Sequence, residues 1–325
     1  MNKILALGNA LVDILIRIND DSILKEYNLP KGSMQLVDLE TANIINENTK
    51  ELTRKISSGG SAANTINGIA KLATPAGFIG KTGNDEFGQY FENGLINNKI
   101  NPILFKSNTP TGRATTFISN DGERTFATYL GAAVEQTADE LTSDFFKGYA
   151  YFHVEGYLVQ NHDLLEKAFQ LAKKNKLKTS IDLASYNVVE ANLGFLKKVI
   201  REYVDIVFAN EEEAKAFTGK EGKEAVADIA KICDIAIVKL GKKGSIIKKG
   251  GETINIGIIE ANCIDTTGAG DLYAAGFLHG LANNYDLEKC GKIGALTAGK
   301  VIENIGAGLT EEQWKFVNDE INNIL

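Results

Sequence analysis

Seven consecutive residues, Asp265-Thr266-Thr267-Gly268-Ala269-Gly270-Asp271, combine two acids, two hydroxyls and a pair of glycines flanking an alanine. Glycines let a backbone pass close to a bound molecule and turn its amides toward one point. The stretch follows a strand-like run, Thr253 to Ile258, and opens an apolar, small-residue helix, Leu272-Tyr273-Ala274-Ala275-Gly276-Phe277. The N-terminus of such a helix carries about half a positive charge. That place suits a phosphoryl group in transit. Asp271, in the first helical turn, is a carboxylate able to take a proton. An anion hole of Gly268, Ala269 and Gly270 beside Asp271 as base is the minimum apparatus for moving phosphate onto a hydroxyl. A plain helix cap needs one such side chain, and this stretch supplies four.

A second glycine-rich segment, Ile56-Ser57-Ser58-Gly59-Gly60-Ser61-Ala62-Ala63-Asn64, runs into a helix patterned on Ile66, Ile69, Ala70 and Leu72. Its paired glycines permit close approach, and Ser61 and Asn64 offer the contacts a polyol needs; a tight strand-to-helix turn is the alternative. Asp13 stands alone among Leu11, Val12, Ile14 and Leu15, which places it either at a strand edge or against a ligand. Gly80-Lys81-Thr82 resembles the end of a phosphate-binding loop, but Pro75 occupies the position of its first glycine, so that fold is not supported.

The elements around these loops divide into two kinds. Lys3 to Gly8 reads as a buried strand and Asp13 to Ile18 as a second extended run. Arg113–Ser119 and Glu123–Tyr129 flank Asn120-Asp121-Gly122, a strong hairpin signal. With the run from 13 and a segment near Met34 to Val37, the hairpin makes a small sheet that can cover a cleft and exclude water. Arg124 in it is an exposed edge charge or the cation that meets a phosphoryl group. From Tyr149 onward, strands at 149–154, 178–182, 204–209 and 235–240 alternate with helices at 162–175, 190–202, 211–217 and 222–232. Helices at about 286–304 and 310–322 close the chain. The alternation predicts a parallel sheet covered on both faces, with ligands at the carboxyl ends of its strands. Asn210-Glu211-Glu212-Glu213 lies at one such end; acids are ordinary there. Lys239-Leu240-Gly241-Lys242-Lys243-Gly244 lies at another, as a plain turn or a track along a nucleotide triphosphate.

Composition narrows the field. The chain has 325 residues, 44% hydrophobic and 24% charged, with net charge −7, so general attraction to nucleic acid or an anionic membrane is not expected. Cys233, Cys263 and Cys290 form no close-spaced pair, which fits a reducing cytoplasm. His153, His162 and His279 are scattered and read as structural. No secretory signal and no run of about 18 apolar residues is present. No GxGxxG follows the first strand, where Gly8 precedes Asn9-Ala10-Leu11, so a dinucleotide dehydrogenase is disfavoured.

With these residues in hand, the chain resembles the ribokinase (PfkB-type) family of carbohydrate and nucleoside kinases. Asp265–Asp271 matches that family's C-terminal signature and Gly59–Asn64 its N-terminal one, in order and separation, across nearly the whole chain. Within the family it most resembles adenosine kinases, bacterial ones in particular, through Gly8–Asp13, Asp121–Arg124 running to Thr128–Ala132, Glu155–Leu158 and Asp205–Asn210. The resemblance implies a three-layer α/β/α fold with a mostly parallel sheet and a β-sheet lid. It implies one kinase domain over 1–325, the lid formed by about 13–56 and 107–130.

It further implies that Asp13 holds two ribose hydroxyls, with Asn9, Gly60, Ser61 and Asn64 completing the sugar pocket and Met34, Leu36, Leu130 and Tyr157 contacting the base. Asp271 would deprotonate the 5′-hydroxyl, and Arg124 would close onto the phosphates. ATP would lie along Asn210, Lys239, Gly241, Gly244, Thr267, Gly268 and Gly270. Asn210 and Glu213 match an Asn-x-x-Glu element that influences Mg²⁺ through water, and a monovalent cation such as K⁺ is expected near the Asp265–Thr267 turn. The partners are then a nucleoside or sugar and ATP, for a monomer or homodimer. A kinase of a free sugar and a non-catalytic nucleotide-binding regulator are the competing readings.

Overall fold

A computed structural model describes residues 2–324; the two end residues of the expected 1–325 domain lie outside the described residues. The strands after Tyr149 join Ile4–Leu7, Ala76–Gly83 and Ile100–Ser107 in one nine-stranded sheet. From one edge its order is Glu252–Ile256, Ser245–Lys249, Ile235–Lys239, Ile206–Asn210, Lys178–Asp182, Tyr151–Glu155, Ile4–Leu7, Ala76–Gly83 and Ile100–Ser107. The strands from Ile235–Lys239 to Ile100–Ser107 are all parallel, and Ser245–Lys249 pairs antiparallel on both sides. Alternation of side chains sends Ile4 and Ala6 to one core and Leu5 and Leu7 to the other, as period-2 geometry requires.

Helices Ser61–Lys71, Ala269–Ala282, Leu287–Val301 and Glu311–Ile324 cover the first face through Ile66, Phe277, Leu296 and Trp314. Helices His162–Lys174, Leu193–Tyr203, Glu211–Thr218 and Gly222–Ile229 cover the second through Phe169, Ile200, Phe217 and Val226. The helix Ala269–Ala282 is buried along nearly all its length, from Leu272 to Gly280. A helix apolar on all sides belongs in the interior. At about 1.5–3 kcal/mol for each large side chain buried, that packing fixes where its first turn, and so Asp271, must lie.

The lid is a five-stranded sheet in the order Met34–Leu36, Arg124–Gly131, Thr111–Ile118, Leu11–Arg17, Arg54–Gly59. The expected hairpin is present, with Ile118 opposite Arg124. Three details differ from the sequence reading. Ile56–Gly59, taken as loop, is the end of a strand paired antiparallel to Leu11–Arg17. That pairing places the Asp13 strand between two neighbours, which removes the edge reading of Asp13. The helix expected over 190–202 is two, Tyr186–Ala191 and Leu193–Tyr203, because Asn192 bonds back to the Val188 carbonyl and breaks the run. Gly80-Lys81-Thr82 lies within a strand, with Lys81 paired to Glu140 at 2.7 Å.

Candidate active site

The two glycine-rich segments end in helix N-termini that meet. Ser61 Oγ donates to Asp271 Oδ1 at 2.7 Å, and Asn64 Nδ2 donates to Oδ2 at 2.9 Å. Thr65 Oγ1 donates to the Asp271 carbonyl at 3.2 Å. Ser61 and Asn64, expected in the sugar pocket, therefore also hold the candidate base. Burial pushes the Asp271 pKa up to about 6; Ser61 and Asn64 pull it down, Asp182 raises it and Lys239 lowers it. A carboxylate so placed is mostly ionised at neutral pH yet basic enough to take a proton.

The helix begins at Gly268, whose φ of +75° is left-handed and whose Cβ, if present, would lie 2.4 Å from the Ala307 methyl. No side chain caps this helix. Among the described residues the amides of Gly270 and Asp271 find no acceptor, while that of Thr267 donates to Asp265 Oδ1 at 2.6 Å. Unsatisfied first-turn amides are an anion site in waiting. Lys239 Nζ lies 3.0 Å from where a Cβ on Gly270 would stand, and it pairs with Asp182 Oδ2 at 2.6 Å. Burial opposes the Lys239 charge, but Asp182 and Glu213 hold its pKa above the ordinary lysine value.

On the acceptor side, burial and the nearby Asp271 charge push Asp13 up to about 7. Gly59 must lack a side chain, since a Cβ there would lie 2.1 Å from Asp13 Oδ1. Gly60 has φ +96°, and its Cβ would meet the Asn9 carbonyl at 2.2 Å. Asn9 itself turns away: its backbone and side-chain N–H groups donate to Glu155 Oε1 at 3.0 and 2.6 Å, while Glu155 Oε2 accepts from Ala62 N at 2.8 Å. Burial pushes Glu155 up to about 7 against those hydrogen bonds.

A cavity of about 960 Å³ joins these parts. Asp13, Gly60, Ser61, Asn64 and Tyr157 line it, as do Arg124 and Gly268 to Asp271. So do Asn210, Glu213, Lys239, Gly241, Gly244 and Thr267. Asn9, Met34, Leu36 and Leu130 do not line it; Met34 and Leu36 are 54% and 62% exposed on the outermost lid strand. Leu15, Thr116 and Phe126 supply the lid wall instead. Their strand positions were legible, but which face of the lid turns inward was not. Asp182 also lines the cavity, a place its position at the carboxyl end of a strand could have suggested; Glu155, at the end of the next strand, is buried behind the cavity on Asn9 and Ala62.

Glu213 accepts from Asn210 N at 2.8 Å and from Asn210 Nδ2 at 2.6 Å, a reciprocal helix cap. Burial and the Asp182 charge raise its pKa. Among the described residues no group of three His, Cys, Asp or Glu side chains could hold a metal. Mg²⁺ on a nucleotide is carried largely by phosphate oxygens and water, so one or two carboxylates at this end fit it. Asp265 fits a monovalent cation less well. Its Oδ1 already meets Arg124 Nη1 and Thr267 N, both at 2.6 Å, and its Oδ2 meets Gly306 N at 2.8 Å.

A family model described as "pfkB family carbohydrate kinase" matches residues 32–314. The chain belongs to the PfkB family. A probable sugar kinase from Rhizobium etli CFN 42 superimposes with a TM-score of 0.88 at 32% identity, over 100% of this chain and 99% of that one. The adenosine kinase from Sinorhizobium meliloti superimposes with a TM-score of 0.87 at 33% identity, over 98% and 99%. A nucleoside kinase from Methanocaldococcus jannaschii is 32% identical over 266 residues, 81% of this chain and 85% of the relative. The three-layer fold with its β-sheet lid is that of this family of kinases. As a PfkB member the protein is an ATP-dependent phosphotransferase acting on a small polyol or nucleoside, and the family implies ATP with Mg²⁺. Among the described residues no helix is long and apolar enough to cross a membrane.

Proposed function

We propose that this PfkB kinase transfers the γ-phosphoryl group of ATP to the 5′-hydroxyl of adenosine, with Asp271 as base and the Gly268-Ala269-Gly270 amides as anion hole. The observation that carries this reading is the Asp271 carboxylate, held by Ser61 and Asn64 beside the free amides of Gly270 and Asp271 and facing Asp13 across one cavity, while Ala269 N still donates to the Thr266 carbonyl at 3.2 Å. Asp13 binds the ribose hydroxyls as an acceptor, and Leu15, Phe126 and Tyr157 offer a flat base an apolar wall. Asp271 takes the hydroxyl proton as that oxygen attacks phosphorus in line, and ADP departs toward Lys239 and the Gly241–Gly244 turn. Asn210 and Glu213 are the residues that would hold Mg²⁺ through water, and the ion would supply neutralising charge for the phosphates. The bound K⁺ suggested by the resemblance plays no part in this reading, since Arg124 already faces Asp265.

The resemblance to the Rhizobium etli sugar kinase, and the position of Met34 and Leu36 off the cavity, favour a free sugar as the second reading. A panel of nucleosides and free sugars with Mg·ATP, read as ADP release and product identity, decides between them. Adenosine 5′-monophosphate as the best product supports the proposal; preferential turnover of ribose or fructose replaces it. ADP release equal with and without every acceptor leaves a nucleotide-binding regulator.

A further inference from the structure

The helix Ser61–Lys71 carries the two side chains that hold Asp271, yet it has no cap of its own. Gly60 precedes it without a side chain, and no acidic residue stands in its first turn. Its first internal hydrogen bond runs from Asn64 N to the Gly60 carbonyl at 2.9 Å, so the amides before Asn64 need an acceptor from elsewhere. One comes from 93 residues away in the chain, where Glu155 Oε2 accepts from Ala62 N at 2.8 Å. Glu155 Oε1 accepts from Asn9 N and Asn9 Nδ2 at 3.0 and 2.6 Å. Glu155 is 1% exposed and does not line the cavity. The three segments meet without slack. A Cβ on Gly8 would lie 2.6 Å from both Glu155 Oε2 and the Ala62 methyl, and one on Gly60 would lie 2.2 Å from the Asn9 carbonyl.

We propose that Glu155 is a positioning residue for the Asp271 carboxylate. From the end of the strand Tyr151–Glu155 it caps the helix Ser61–Lys71, ties that helix to the Asn9 turn, and so fixes Ser61 and Asn64 on Asp271. A first turn whose amides lack acceptors frays, and here the fraying residue is the one whose hydroxyl must reach Asp271. A carboxylate serves donors on two sides at once, whereas an amide has one acceptor oxygen and a thioether little to offer. The bearing of Glu155 on turnover rests on the reading of Asp271 as base; its hold on Ser61 does not.

The test reads Asp271 itself. In the full chain with ¹³C-labelled aspartate carboxyls, the Asp271 signal is assigned by its loss in Asp271→Asn. It is then titrated in wild type, Ser61→Ala, Glu155→Met and the double variant. Removing the Ser61 hydroxyl from the wild type is expected to raise the midpoint by about one pH unit, because a hydrogen bond to the charged form is lost. In the Glu155→Met background the same removal is expected to raise it by about threefold less, since the hydroxyl has already left the carboxylate. Comparing within each background cancels the effect of deleting the Glu155 charge. Equal shifts in the two backgrounds, zero included, overturn the proposal, because a Glu155 that only supports the fold leaves the Ser61 contribution intact. Where Glu155→Met does not fold, Glu155→Gln takes its place. A Ser61 shift smaller than in the wild type then supports the proposal, and an equal one overturns it. The acid limb of kcat/KM is expected to follow the titration in every variant. A limb that ignores it removes Asp271 as base and leaves the role of Glu155 standing.

Discussion

Ser61 and Asp271 stand 210 residues apart in the chain and 2.7 Å apart in space. That hydrogen bond couples the helix Ser61–Lys71 to the helix Ala269–Ala282 at the carboxylate proposed to accept a proton. Its geometry makes the chemistry of Asp271 adjustable from the other half of the molecule.

Replacing Asp271 with Asn removes the proposed base while keeping its size. Turnover is expected to fall by roughly 10²–10⁴, the range of general-base catalysis, with the affinity for a non-hydrolysable ATP analogue little changed. Single-turnover kinetics and calorimetry check this, and a variant with near-wild-type kcat removes Asp271 from the mechanism.

The pH profile follows from the same group. In the proposed mechanism Asp271 works only when ionised, so kcat/KM is expected to fall as pH drops through about 6. The Ser61 hydrogen bond lowers that pKa, so Ser61→Ala should move the acid limb to higher pH. A limb that stays in place would falsify the assignment of the limb to Asp271.

Asp13 is expected to matter differently for binding and for stability. Asp13→Ala should raise the acceptor KM far more than the KM for ATP. Its folded pKa is raised to about 7 from 3.8, so the folded state keeps a proton that the unfolded chain releases. The associated stability is present at acid pH and is lost as pH rises through about 7. Asp13→Asn should therefore be more stable than wild type at pH 8, by on the order of 2 kcal/mol after allowance for solvent access, and nearly equal to it at pH 4. Thermal melts across that range measure the difference.

Gly60→Ala tests the backbone itself. An L-residue at φ +96° is strained, and its methyl would stand 2.2 Å from the Asn9 carbonyl. A loss of roughly 2 kcal/mol or more is expected, read by urea denaturation; an unchanged midpoint would show that the loop relaxes freely.

Much of this was legible in the chain. The Asp265–Asp271 and Gly59–Asn64 segments were chemically conspicuous, and the strand–helix rhythm after Tyr149 reported the parallel sheet. What stayed hidden was pairing at long range. Nothing local shows that Ser61 bonds Asp271, that Asn9 serves Glu155, or that Arg124 meets Asp265. The lid suffered most, because a strand's inward face depends on register with partners far away in sequence. Hence Met34 and Leu36, expected at the base, lie off the cavity, and Leu15 and Phe126 line it.

The division of labour around the cavity has an evolutionary corollary. The proposed phosphate handling would reside on a deeply packed helix, whereas Leu15, Thr116 and Phe126 project from strands of a separate sheet. On the proposed reading, exchanging Thr116 leaves the Asp271 helix untouched, whereas Phe126 lies under Arg124 and Leu15 packs at Gly306, so retargeting to a new alcohol through those two would be felt at the phosphate end as well.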